Sequence, residues 1–430
     1  MRNKFFEFRI NRSQTVIIIL SLLFWAWSYP QEVSNVNQLS NAMITGKIME
    51  TKPWPLAGFL RSNNKEPQCE SLTFAADFSA FYISARHLNQ PDIYTGKYDC
   101  LIKTPPRLLP YPPFIFYVFN KLFCNLPFAQ SVLCYLFLQV AILIVSSYWI
   151  LRYYQLGEMI LPVSVFYCFI LFLTPVGLTW FERGQVEIYS AVSILFFMFA
   201  VYERKSYAFL LAAFFGSLKF ANAFFFFQAF FCLLILFRDI KTVRFLGIFI
   251  GIILLTFIFF PMDLISSYLN CCYKYQLLRE TQGISLIGRT PFMGVVPILI
   301  FSLLIYPLSL LIRNRNTQKV FFETFLPYMT ALAAFDLLIP RIAYEYRTLC
   351  LLGFVPVLIP WLVKYKGNYI YKTVFISCFA LFMLFAFHSY SIFLNIPTTS
   401  GCFIYVYMIY FLVITIFSVL FILRPIIKRD

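Results

Sequence analysis

The chain has 430 residues, of which 60% are hydrophobic, 20% aromatic and 13% charged, with 35 Lys and Arg against 19 Asp and Glu. Soluble domains carry about 25% charged residues. A mean hydropathy of +0.75 therefore excludes an ordinary soluble enzyme, a disordered tail and a secreted disulfide scaffold, and places the chain in a bilayer. The net charge of +16 would point to nucleic acid in a soluble protein. In a membrane protein Lys and Arg gather in cytoplasmic loops instead, so no nucleic-acid partner is expected.

In lipid a helix must satisfy its own backbone, and about 20 apolar residues cross the hydrocarbon. The first such stretch, 15–29, follows a basic head with Arg2, Lys4, Arg9 and Arg12. Phe24-Trp25-Ala26-Trp27 offers no small-x-small cleavage site, so an uncleaved anchor is expected rather than a signal peptide. Residues 30–110 form a polar extracytoplasmic loop. Segment 111–127 contains Pro112, Pro113, Asn120, Lys121 and Asn125 and reads as an interfacial or re-entrant helix. Apolar segments follow near 128–151, 159–181, 187–202, 207–218, 220–237, 244–262, 292–312, 320–339, 347–363, 371–391 and 402–423, making twelve spans with the first. The expected fold is an all-α polytopic membrane protein, one integral membrane domain over 1–430 with interfacial helices in its large first outer loop.

The charges support this topology. With the N-terminus inside, the inner loops carry 19 basic and 5 acidic residues; the outer side carries 16 and 12. That is the positive-inside asymmetry. Segment 207–237 is too long for one span and short for two, and Gly216-Ser217-Leu218-Lys219 lies near its middle. Two short helices meeting at Lys219 would put this cation at the outer interface or in a cavity below it.

Ionisable residues in so apolar a chain are functional candidates. Asp77 lies among aromatics in an amphipathic stretch, 74–86. Partial desolvation would raise its basicity and suit it as a general base; an N-cap is the competing role. Tyr111-Pro112-Pro113 closes the polar loop at a fixed angle. Glu182-Arg183-Gly184-Gln185-Val186-Glu187 sits between two spans and offers hydrogen-bonding groups to a sugar, with an exposed turn as the alternative. A phosphate would offset the cost of burying Lys219, although a snorkelling Lys accounts for it too. Arg279, Glu280, Arg289, Arg341, Tyr344, Glu345, Tyr346 and Arg347 form two outer clusters, and Arg suits bidentate phosphate recognition. Asp336 is expected to pair with Arg341. His87 and His388 lack metal-ligand spacing, and the sequence asks for neither a metal nor another cofactor. Cys69 and Cys100 share the first loop, either paired or as two free thiols.

Four features in order resemble the glycosyltransferase-C superfamily, and within it the polyprenyl-phosphate-mannose-dependent α-mannosyltransferase-like family. They are Asp77-Phe78 with Tyr82, Ala85 and Ile93-Tyr94; Tyr111-Pro112-Pro113; Gly184-Gln185; and Gly216-Ser217-Leu218-Lys219. Residues 340–347 extend the likeness, except that family members often place His near the position of Glu345-Tyr346. The resemblance implies inverting transfer of a hexose, mannose in the family, from a polyprenyl-phosphate donor to a lipid or glycan acceptor at the outer face. Asp77 would be the base. Lys219, Arg279 and Arg341 would bind the donor phosphate; Glu182, Arg183, Gln185, Tyr111, Tyr344 and Glu345 would contact sugar or acceptor. Membrane lipids surround the bundle. The competing readings are an O-antigen polymerase or ligase, a lipid-linked sugar transporter, and a non-catalytic assembly subunit. The outer loops contain no N-x-Ser/Thr sequon, which points to a bacterial inner membrane with the site facing the periplasm.

Overall fold

The computed structural model describes residues 76–88, 90–95, 110–174, 176–177, 180–181, 184–219, 223–237, 240–277, 282–283, 304–312, 317–338, 342–343, 345–364, 369–387 and 401–427. The expected first span at 15–29 and the cysteines Cys69 and Cys100 lie outside them.

The described chain is helical apart from one two-residue parallel bridge, in which Gln282 and Gly283 pair with Ile342 and Ala343. In chain order the helices are α1 Ala76–Arg86, α2 Pro113–Leu122, α3 Phe128–Tyr153, α4 Ile160–Leu173, α5 Glu187–Glu203, α6 Ser206–Leu218 and α7 Ala223–Phe237. Then come α8 Ile240–Ile258, α9 Met262–Leu277, α10 Thr317–Asp336, a 3-10 segment Glu345–Phe354, α11 Val355–Lys364, α12 Tyr369–Phe387 and α13 Gly401–Ile427. Pro113 opens α2 from an extended Pro112, the position where a missing N–H costs nothing. Arg204 ends α5 in the left-handed conformation at φ 54°, which turns the chain back into α6.

Among the described residues three stretches, Gln130–Tyr153, Lys241–Ile258 and Val406–Arg424, are long and apolar enough to cross a membrane. Shorter apolar helices cover Gly157–Phe172, Ser206–Leu218, Phe225–Leu234, Arg347–Val363 and Tyr369–Met383. These helices are consistent with a membrane protein. Several expected spans are altered: the one at 244–262 becomes α8, ending at Ile258, and α9 opens at Met262 where a loop was expected. The helix expected at 159–181 ends at Leu173, where Thr174 turns extended and its hydroxyl bonds back to the Ile170 carbonyl. The one expected at 347–363 divides into the 3-10 segment and α11. Such a long 3-10 run is uncommon and often marks a functional place.

The core is built around α5, which is buried from Glu187 through Tyr202. A helix buried all round needs neighbours on every side; α3, α6 and the 3-10 segment supply them. At Gly353 the 3-10 backbone lies directly on α5, since a Cβ there would sit 2.0 Å from the Ala191 carbonyl oxygen. Small residues permit this approach between backbones. Pro327 interrupts the ladder of α10, and the Tyr202 hydroxyl inserts beside it, donating to the Phe322 carbonyl at 3.2 Å and accepting from Leu326 N–H at 3.1 Å.

Candidate functional site

The start of α5 carries the site. Residues 180–181 are helical, and the Gly184 and Gln185 N–H groups close on the Trp180 carbonyl at 3.0 and 3.1 Å. Gly184 takes φ +68°, the left-handed cap that glycine adopts without strain. A Cβ at 184 would also lie 2.6 Å from Phe78 Cβ, so α1 is docked on this turn. The Phe78 ring is held there by Phe119, Tyr135 and Phe128, with centroids 5.5, 5.1 and 5.8 Å away.

The Gln185 carbonyl is fixed from α3 by two donors, the Gln139 amide at 2.9 Å and the Tyr135 hydroxyl at 3.2 Å. The Tyr111 hydroxyl donates to Gln185 Oε1 at 3.4 Å, and the Tyr94 hydroxyl donates to the Tyr111 carbonyl at 3.0 Å. Burial pushes the Tyr94 phenol well above its usual range, so it remains a neutral donor.

Lys219, at the C-terminal end of α6, donates to the carboxylate of Glu187, in the first turn of α5. The two side chains are only 11% and 2% exposed. Each charge also complements the dipole of its own helix, cation at a C-terminus and anion at an N-terminus. The Lys219 ammonium lies 5.6 Å from the centre of the Tyr111 ring, a cation–π contact. Arg347 acts electrostatically on both Lys219 and Asp336.

This arrangement is recessed. Gln139 stands nine residues into the apolar stretch that begins at Gln130, about 13 Å along α3 at 1.5 Å per residue. At the other end Tyr153 of α3 bonds Glu203 of α5 at 3.0 Å, so the two helices run parallel. The 184–187 turn therefore lies well along α3 from its start. Burial leaves four side-chain atoms here without a hydrogen-bond partner: Gln139 Oε1, Trp180 Nε1, Glu187 Oε2 and Ser190 Oγ. Each such group demands an explanation.

Of the expected residues, Tyr111, Gln185 and Lys219 come together. Lys219, expected either to meet a phosphate or to snorkel, is paired with Glu187. Asp77 belongs to α1, next in sequence to the Phe78 that touches Gly184; its backbone is already helical, whereas an N-cap residue is not. Its side chain lies outside the description, as do Glu182, Arg183, Arg279, Arg341 and Tyr344. Glu345 opens the 3-10 segment, with only its backbone described. The segments that follow Arg279 and Arg341 are joined by the 282–283 and 342–343 bridge. Asp336 accepts from Phe225 N–H at 3.5 Å under the field of Arg347; Arg341, its expected partner, lies outside the described residues.

Sequence reasoning placed Glu187 in the polar turn 182–187 without a partner for it, and passed over Gln139, Trp180 and Ser190. The available signal was a Glu opening one apolar helix and a Lys closing the next. Among the described residues, no three His, Cys, Asp or Glu side chains are grouped as for a metal ion. Comparison with protein-family models, curated proteins and solved structures finds no match.

Proposed function

We propose that the protein is a membrane-embedded, inverting hexosyltransferase that uses a polyprenyl-phosphate sugar, mannose in the first instance, and acts at the outer face of a bacterial inner membrane. A polytopic bundle of the glycosyltransferase-C type would house it. The observation that supports this reading is convergence. Positions 78, 111, 184–185 and 219, far apart in sequence, meet around one buried turn.

Asp77 takes the proton of the acceptor hydroxyl as that oxygen attacks the anomeric carbon. The C–O bond to the donor phosphate breaks on the opposite face, and polyprenyl phosphate leaves with the electron pair. Arg347, with Arg279 and Arg341, stabilises the departing anion. Lys219 helps through Tyr111 and Glu187, which fix it at the edge of the site. The polyprenyl tail stays among lipid-facing helices while the head enters the recess.

The test is label transfer from radiolabelled polyprenyl-phosphate mannose to lipid acceptors by the full-length protein in nanodiscs. Wild type transfers single hexoses, and Asp77→Asn loses roughly 10²–10⁴-fold in rate. Transfer undiminished in Asp77→Asn removes that base. Movement of whole lipid-linked oligosaccharides would identify a polymerase instead.

A further inference from the structure

We infer that α9 is an in-plane helix seated in one leaflet of the bilayer, with Met262, Leu269 and Tyr273 sunk among lipid acyl chains. The partner is the lipid itself, held by apolar contact. The inference rests on the bilayer placement of the chain and not on the transferase chemistry.

The circumference of α9 divides into three arcs. At about 100° per residue, Cys271, Leu264 and Tyr268 share one arc, and all three are buried. Cys272 and Ile265 come next, partly buried. Leu269, Met262 and Tyr273 follow, and they are 59%, 75% and 65% exposed. Ser266, Asn270, Asp263 and Lys274 then form an exposed polar arc, and the half-buried Ser267 joins it to the buried one. A helix wholly in water would be polar over everything it does not bury. A helix crossing the bilayer would carry Asp263 and Lys274 into hydrocarbon. Its 16 residues also reach only about 24 Å, short of the ~30 Å core. Three arcs suit a helix at the boundary, with protein on one side, acyl chains beneath and water above. The two charges are opposite, so headgroup charge is not what holds it.

The apolar arc continues the lipid-facing side of α8. That helix is long and apolar enough to span, and Val243, Ile250, Leu254 and Ile258 form one exposed stripe along it. Exposed Phe259 carries the stripe towards Pro261, and α9 begins at the next residue. At this corner Phe260 meets Tyr117 of α2 at 6.3 Å, and Tyr117 and Leu122 are exposed as well. Lys241 and Arg244 near the start of α8 mark its inner end, so α9 leaves from the outer one. The buried arc leads back to the site. Tyr268 packs on Tyr94 with centroids 5.6 Å apart, and Tyr94 bonds the Tyr111 carbonyl. Seating α9 in the leaflet thus holds the rim of the recess at the membrane surface.

The experiment installs a keto amino acid bearing a nitroxide, one position at a time, at 262, 263, 266, 269, 270 and 273 of the full-length protein in phosphatidylcholine nanodiscs. This chemistry leaves the native cysteines untouched. Power-saturation EPR reads collisions with oxygen, which concentrates among acyl chains, and with a water-soluble nickel chelate. Position 254 of α8 is the bilayer reference. Labels at 262, 269 and 273 should lie about 5–10 Å below the headgroup level, with oxygen dominant. Labels at 263, 266 and 270 should favour the chelate. Chelate access at all six positions overturns the inference and leaves an aqueous helix. Protection of 262, 269 and 273 from both probes overturns it in favour of a protein partner, and oxygen dominance at all six in favour of a crossing helix. Failure of the bilayer placement looks different, because position 254 then reaches the chelate too and both readings fall. A protein that moves no sugar leaves the seat of α9 intact.

Discussion

Two regions of the bundle bury polar groups in apolar surroundings, and they do so in opposite ways. Around α10, α12 and α13, the Asp336 carboxylate apart, four pairs of neutral hydroxyls are matched. Tyr306 meets Thr324 at 2.9 Å, Thr330 meets Tyr410 at 2.9 Å, Thr348 meets Tyr407 at 2.7 Å and Tyr371 meets Ser418 at 2.8 Å. Each pair ties two segments together; among the described residues Thr415 Oγ1 is a hydroxyl without such a partner. At the start of α5 the groups are ionic, and several stay unmatched. Matched hydroxyls glue helices together and specify their register. A charged, half-matched cluster costs stability and is retained where something else uses it. The first region reads as scaffold and the second as site.

The sharpest way to break this contrast is at the ion pair. Glu187→Leu or Lys219→Met alone should destabilise the protein by about 3–5 kcal/mol, because each leaves a buried charge uncompensated. The double variant Glu187→Leu/Lys219→Met should recover most of that loss in unfolding measurements in detergent. Additive losses would show that the two charges are not coupled.

Gly184→Ala tests the turn itself. It forces a side chain into the left-handed region and against Phe78, and should cost about 1–3 kcal/mol and most of the transfer rate. An unchanged melting temperature would mean that α1 is not seated on this turn.

On the scaffold side, Tyr410→Phe and Tyr371→Phe should each cost only about 0.5–1.5 kcal/mol and leave hexose transfer untouched. A large loss of transfer in either would erase the distinction between the regions.

The smallest effect concerns Cys124, between α2 and α3. Burial pushes its thiol up to about 11. The reactive thiolate is therefore scarce at neutral pH, roughly a hundredfold scarcer than for an ordinary cysteine. Maleimide labelling of a variant that keeps only this cysteine should be slow at pH 7 and accelerate steadily towards pH 11. Rapid labelling at pH 7 would contradict the packing of that corner.

Much of the helix layout was legible in the sequence because apolar runs stop at charges. The expected segments 128–151, 187–202 and 207–218 lie within two residues of α3, α5 and α6. The break at Lys219 was legible for the same reason. The depth of the 184–187 turn was not, since it depends on how early α4 ends. Thr174-Pro175 carried that information: a Pro disfavours helix in the residue before it. The partner of Lys219 was hidden because pairing across 32 residues is a tertiary fact. Gln139 and Ser190 were hidden because one polar residue in an apolar run looks the same whether it faces lipid, a neighbour or a ligand.

The seam between Gly353 and Ala191 reaches further than the spacing of two segments. Residue 353 stands six places after Arg347, two turns along a 3-10 spiral at three residues per turn. A methyl group added at 353 would push the spiral off α5 and carry the guanidinium with it, as a lever moves about its fulcrum. A screen scored only on catalytic output would then return this glycine beside the polar residues, although it touches no substrate. Its signature is a fall in melting temperature alongside the lost output, unrelieved by trimming Ala191→Gly, because the clash is with the Ala191 backbone carbonyl and not its methyl group.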